Sequence, residues 1–290
     1  GIVTLAGVDL GGGVTGEPLI SLLNNHANSV VNFEEGVFAN ASTVNTQAFN
    51  HNGGKLKIAG TTSVLTAASG SALDLEGVEL TQNATFASLS STDSIAEGVR
   101  ISQPVGSFDI IVTGTTTVSN PATRAVRANS TGASGFLLQM AVLNSTGGTV
   151  GIEVINTAVT VTNNTSTLVT SAGPAVLCTT GTTNLALATL TAAGGTNGVT
   201  FDGCAGTVTA AAGTLNSTGG ATNHVVNIVN TGGTSAVSFT YGGTINKTTD
   251  GAAVNIVGLT GAAGAATFNG TITGTNASDG VIITNTTRPV

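Results

Sequence analysis

Asp74, Arg100, Arg127 and Glu153 recur at a nearly constant step, and each stands between two apolar or small residues. Side chains alternate along a strand, so in stacked strands these four would share one outward column. A negative, positive, positive, negative column is then a ladder of cross-strand ion pairs, Asp74 with Arg100 and Arg127 with Glu153. Each exposed pair contributes about 0.2–1 kcal/mol. The functional alternative for the same face is a polysaccharide groove. Glu76 and Glu79 lie beside it and would supply an acid and a base if they stood about 5–9 Å apart. The ladder is the first reading, and no residue is assigned a catalytic role.

Other chemistry is sparse. Cys178 and Cys204 are separated by close to one such step, which leaves two small buried hydrophobes or a disulfide between neighbouring coils open. His26, His51 and His224 are scattered, and no His or further Cys completes a metal site, so neither metal nor cofactor is expected. No Gly-x-Ser-x-Gly elbow and no phosphate loop occur. Gly11-Gly12-Gly13 reads as a turn. Lys55, Lys57 and Lys247 read as solvated turn lysines. Eleven Asn-x-Ser/Thr sequons, Asn40, Asn129 and Asn269 among them, are a by-product of so much Asn, Thr and Ser.

The elements that position these residues are repeats. The outward column continues with Leu177, Thr200, Asn227, Asn255 and Ile282. The inward pairs around it run Leu73/Leu75, Val99/Ile101, Val126/Ala128, Ile152/Val154, Val176/Cys178, Val199/Phe201, Val226/Ile228, Val254/Ile256 and Val281/Ile283, at steps clustered in the mid-twenties. A period of this size means a solenoid whose units bury their apolar faces only by stacking. Gly supplies 41 residues, charged residues only 7% and aromatics 3%, whereas an ordinary globular domain carries about 25% charged residues. Hydrophobic residues still reach 40% and alternate with period two, which argues against disorder.

Each coil reads as three short strands separated by turns, with Phe239 and Phe268 near enough to stack. The expected fold is therefore all-β, a single-stranded parallel β-helix of about nine to ten coils over 46–290. Residues 1–45 are expected to form an N-terminal cap or irregular first coil, with a short helix over 17–26 and a turn at Glu34-Glu35-Gly36. Asn227 and Asn255 are expected to form a hydrogen-bonded amide ladder.

The cadence of Gly-Val-Thr-Phe-Asp-Gly (198–203), Val-Asn-Ile-Val-Asn-Thr-Gly-Gly (226–233) and Thr-Phe-Asn-Gly-Thr-Ile-Thr-Gly (267–274) resembles right-handed β-helix repeats. These belong to large secreted bacterial surface proteins and autotransporter-like passenger domains. The resemblance covers about residues 46 to 287 and carries no catalytic motif. It implies an exported, extracellular or cell-surface structural protein, a building block of a fibre, filament or adhesin stalk. Resemblance to β-helix enzymes acting on acidic glycans would instead use the face of Asp74, Glu76, Arg100, Arg127 and Glu153.

The implied partners are further copies of a surface assembly, with Val281, Ile282 and Ile283 as the candidate contact edge; glycans are the alternative. Seven basic residues cannot form the positive stripe that nucleic acid requires. No run of about 20 apolar residues exists to span a membrane.

Overall fold

The computed structural model describes residues 2–12, 18–41, 49–104, 106, 108–130, 135–231, 235–261, 264–275, 278–287 and 290. Among them every regular element is a β-strand, and the strands stack in parallel as a β-solenoid of about ten turns across two compact units. The first unit comprises Gly1–Asn144 and Asn156–Thr160, the second Ser145–Ile155 and Val161–Val290.

In the first unit, one sheet stacks Ile2–Leu5, Ile20–Phe33, Phe49–Ile58, Leu73–Glu76, Val99–Ser102 and Arg124–Asn129. A second sheet stacks Val8–Gly12, Val37–Ala41, Ser63–Ala67, Ala84–Thr92 and Ile110–Ser119. The last two of these are offset in register after Val112, which bends the long strand into two legs. Gly114 sits at that bend, where a Cβ would lie 2.4 Å from the Ala87 carbonyl oxygen.

In the second unit, one sheet stacks Val150–Ile155, Val176–Thr179, Val199–Asp202, Val226–Val229, Gly251–Val257 and Ser278–Thr284. Another stacks Thr182–Ala192, Ala205–Ala212, Ala236–Tyr241 and Ala265–Phe268, with Thr214–Ser217, Thr244–Lys247 and Ile272–Gly274 forming a third leg. The three-strand coil expected from sequence is thus present.

The inward columns pair in the register the alternation predicts. Val99 lies opposite both Leu73 and Val126, and Val176, Val199, Val226, Val254 and Val281 follow one another in the second unit. All but the last coil's members are fully buried, each worth roughly 1.5–3 kcal/mol of apolar transfer. Phe239 anchors a denser patch. It meets Phe201 at 5.6 Å, Tyr241 at 5.9 Å and Phe268 edge-on at 6.1 Å between ring centroids.

Corners carry the backbone strain. Several first-sheet strands are followed by a residue at positive φ, Gly77 and Gln103 in the first unit and Thr180, Gly203, Gly258 and Asn285 in the second. Gly and Asn accept that conformation readily, and a β-branched Thr does not. A different constraint acts at Gly243 and Gly270, where a Cβ would come within 2.3 Å of the Gly213 carbonyl oxygen and 1.9 Å of the Gly243 carbonyl oxygen.

The expected helix over 17–26 is corrected. Ile20–Phe33 is one long strand, paired with Ile2–Leu5 on one side and Phe49–Ile58 on the other; Glu17 lies outside the described residues. A segment without Gly looks locally helix-compatible, but pairing along Phe49–Ile58, joined by Ile2–Leu5 at Val30–Phe33, draws it into the sheet, and that outweighs weak propensity. The turn at Glu34-Glu35-Gly36 is present, with Gly36 at φ 102°.

Candidate functional site

The charged cluster lies on the outer face of the first unit's first sheet. Arg100 sits directly opposite Asp74 on one neighbouring strand and opposite Arg127 on the other. Two guanidinium groups side by side would repel, so each turns to a different carboxylate. Arg100 donates to Asp74 at 2.9 Å and to Glu76 at 3.0 Å. Arg127 pairs with Glu97 at 3.6 Å, and Glu97 also takes Arg124 at 3.5 Å. Asp74, Glu76 and Glu97 thus match Arg100, Arg124 and Arg127 in number.

The backbone explains why Glu97 is in reach. Gly98 packs where a Cβ would stand 2.3 Å from Val118, so only glycine fits. The buried hydroxyls of Ser71 and Ser94 both donate to the Glu97 carbonyl, at 2.6 and 2.7 Å. The turn is thereby held against the core while its carboxylate stays beside the arginines.

The pair at the centre is well shielded, with Arg100 20% and Asp74 14% exposed. Burial raises the Asp74 carboxyl above the ordinary carboxylate range, and the Arg100 guanidinium offsets only part of that. Arg100 loses hydration too, but Asp74 and Glu76 more than compensate and hold its charge more firmly than usual. Such a pair fixes geometry rather than adding much net stability.

The expected pairing of Asp74 with Arg100 is therefore present, and Glu76 joins it. Arg127 pairs with Glu97, a partner that the column did not suggest because Glu97 lies two residues ahead of the inward Val99. Arg124, the first residue of its strand, was missed for the same reason. Glu153 belongs to the second unit, where it is buried on Val150–Ile155. The candidate acid and base do not form a pair of free carboxyls: Glu76 is held by Arg100 and Glu79 by Lys55 at 2.8 Å.

The lysines divide. Lys55 and Lys57 make half-buried ion pairs with Glu79 and Glu34. Lys247, expected to be solvated, is fully buried. Its ammonium donates to Gly219 O at 2.7 Å, Thr249 Oγ1 at 3.0 Å and Ser217 Oγ at 3.1 Å. It closes the strand Thr244–Lys247 opposite Ser217, so the stem must follow the core. Burial lowers its pKa while Asp250 raises it, with a net fall.

From Leu177 onward the outward column is neutral. Asn255 donates to Asn227 at 2.9 Å, forming the expected amide ladder. Cys178 lies opposite Phe201 and is bonded to Cys204 across neighbouring coils, with 6.3 Å between Cα atoms. His224 Nδ1 accepts from the Ala252 amide at 3.0 Å, and exposed His26 accepts from Asn28 at 3.2 Å. The side chain of His51 and all of Gly13 lie outside the described residues. Gly11 and Gly12 end the strand Val8–Gly12 rather than forming a turn. Among the described residues no group of three or more His, Cys, Asp or Glu could hold a metal ion.

No family model, curated protein or solved structure matches the chain.

Proposed function

We propose that this chain is a non-enzymatic, extracellular structural protein, a β-helical building block of a bacterial surface fibre, filament or adhesin stalk. The observation that carries this reading is the edge strand Ser278–Thr284. Its Val281 and Ile283 are 48% and 43% exposed in the register that buries Val254 and Ile256 completely. An open parallel edge with apolar inward positions is a template for one more coil. In the other edge strand, Ile2–Leu5, the inward positions Val3 and Leu5, opposite buried Val31 and Phe33, are exposed in the same way. The Cys178–Cys204 bond supports an oxidising compartment, where such bonds persist. The mutual pairing of the charged side chains supports a bracing role for that face.

The test is electron microscopy of the purified protein beside a Val281→Lys/Ile283→Lys variant, since edge lysines oppose strand addition. Filaments or stacked particles in the parent and dispersed particles in the variant are expected. A parent that stays dispersed, or a variant that assembles equally well, overturns the reading.

A further inference from the structure

A recess of about 460 Å³ lies on the second unit, and Asn164, Thr209, Ala211, Thr240, Gly242 and Asn269 line it. The register shows what shape it has. Thr209 is opposite Thr240, and Ala210 is opposite both Leu187 and Tyr241, so the recess runs along the stacking direction over several coils. Its floor is nearly bare backbone: Gly242 leaves no room for a Cβ above the Ala211 carbonyl, at 2.4 Å. The hydroxyls of Thr209 and Thr240 line it, and Asn164 and Asn269 each supply a side-chain amide from coils before and after.

The polar groups here differ from those of the charged cluster in one respect. Asp74, Glu76, Glu97 and the three arginines are tied to one another as ion pairs. By contrast, the Thr240 hydroxyl and the side-chain amides of Asn164 and Asn269 have no hydrogen-bond partner among the described residues. They converge on one concavity whose volume falls within the range of small-ligand sites.

We infer that this recess binds a neutral glycan chain laid along the coils. The lining has no ionisable side chain, so phosphates, nucleic acid and acidic sugars find no counter-charge. Amides and hydroxyls both donate and accept, as sugar hydroxyls do. A strand-to-strand step of about 4.8 Å is close to the advance of one pyranose ring along a linked chain, so successive coils meet successive sugars. Without an aromatic platform each site is weak, with a Kd on the order of millimolar, and repeated copies would raise avidity. The inference is independent of the assembly reading, because binding is measured on dispersed protein.

The experiment is a titration of the full chain, kept dispersed by Val281→Lys/Ile283→Lys, with cellohexaose and, separately, maltohexaose, followed by NMR shifts of the protein amides. Saturable shifts centred on Thr209, Thr240 and Asn269 with at least one of the two are expected. Ala211→Trp, which fills the recess from an exposed position, should abolish them. Asn164→Ala and Asn269→Ala should each weaken binding about five- to tenfold, the loss of one hydrogen bond. Arg127→Ala should leave binding unchanged. Circular dichroism confirms that each variant is folded. No shift with either sugar on the order of 10 mM, or undiminished binding in folded Ala211→Trp, overturns the inference. So does loss of binding in Arg127→Ala, which would return the glycan to the charged face.

Discussion

The same outward column is charged from Asp74 to Glu153 and neutral from Leu177 onward, although the backbone beneath it keeps one register within each unit. In the first, Asp74 and Arg100 are flanked by Leu73, Leu75, Val99 and Ile101. In the second, Asn227 and Asn255 are flanked by Val226, Ile228, Val254 and Ile256. The inward residues are interchangeable in kind and fully buried in both. The coil is therefore set by what points inward and by what the corners tolerate, while the outward side chains are free to take different work. In the first unit they pair as ions, and in the second Asn227 and Asn255 pair as amides, while the hydroxyls and amides left available line the recess, away from this column.

Several changes would break or sharpen this contrast. The largest effect is expected from the second unit's covalent tie. Cys178→Ala/Cys204→Ala should lower stability by about 3 kcal/mol, the loop-closure value for a bridge of this span, read from denaturant unfolding; parent protein under reducing conditions should match it. Gly270→Ala should follow at about 2 kcal/mol or more, because the new Cβ would overlap the Gly243 carbonyl.

Next comes Arg100→Ala, at about 2 kcal/mol, since it leaves the shielded Asp74 carboxylate without its cation. Asn255→Ala, the corresponding change in the neutral column, should cost about 1 kcal/mol. Equal losses for these two in the same unfolding assay would erase the distinction between the columns.

Asp74→Asn should have the smallest effect, below about 1 kcal/mol, because it removes a desolvated charge while Glu76 still holds Arg100. It should also change the pH dependence. The folded-state pKa of Asp74 is raised, so the native state binds more protons than the unfolded one. Its contribution is fully present below the ordinary carboxylate pKa and is lost as pH rises through the folded value. Stability–pH curves of parent and Asp74→Asn should therefore diverge across that window; parallel curves would show that Asp74 is not desolvated.

Much of the fold was legible because a period-two alternation repeated at a near-constant step leaves little freedom: from Leu73 onward, the inward pairs align in register within each unit. Local patterns failed where tertiary contacts decide. Ile20–Phe33 has no strong alternation of its own and is a strand because Phe49–Ile58 pairs along it. Arg100 with Asp74 followed from the column, whereas Glu97 reaches Arg127 from a turn whose path depends on Gly98 packing against Val118. Lys247 is buried because its amino group meets two hydroxyls and a carbonyl, a cage that no single segment contains. The recess at Thr240 was equally hidden, since its lining comes from several coils and carries no motif. The cysteine spacing allowed a bond, but only the corner between Phe201 and Cys204 brings the second sulfur back to the first.

That bond also has a mechanical meaning. A β-solenoid pulled from its ends would lose strands from the edges, each coil releasing its length in turn. Between Cys178 and Cys204 the chain cannot lengthen, because force passes through the sulfurs and bypasses the span between them. Roughly 90 Å of slack, at about 3.5 Å per extended residue, is withheld. Under tension the second unit would therefore contain a knot of shorter reach than its sequence implies, and a reductant would release it in one step.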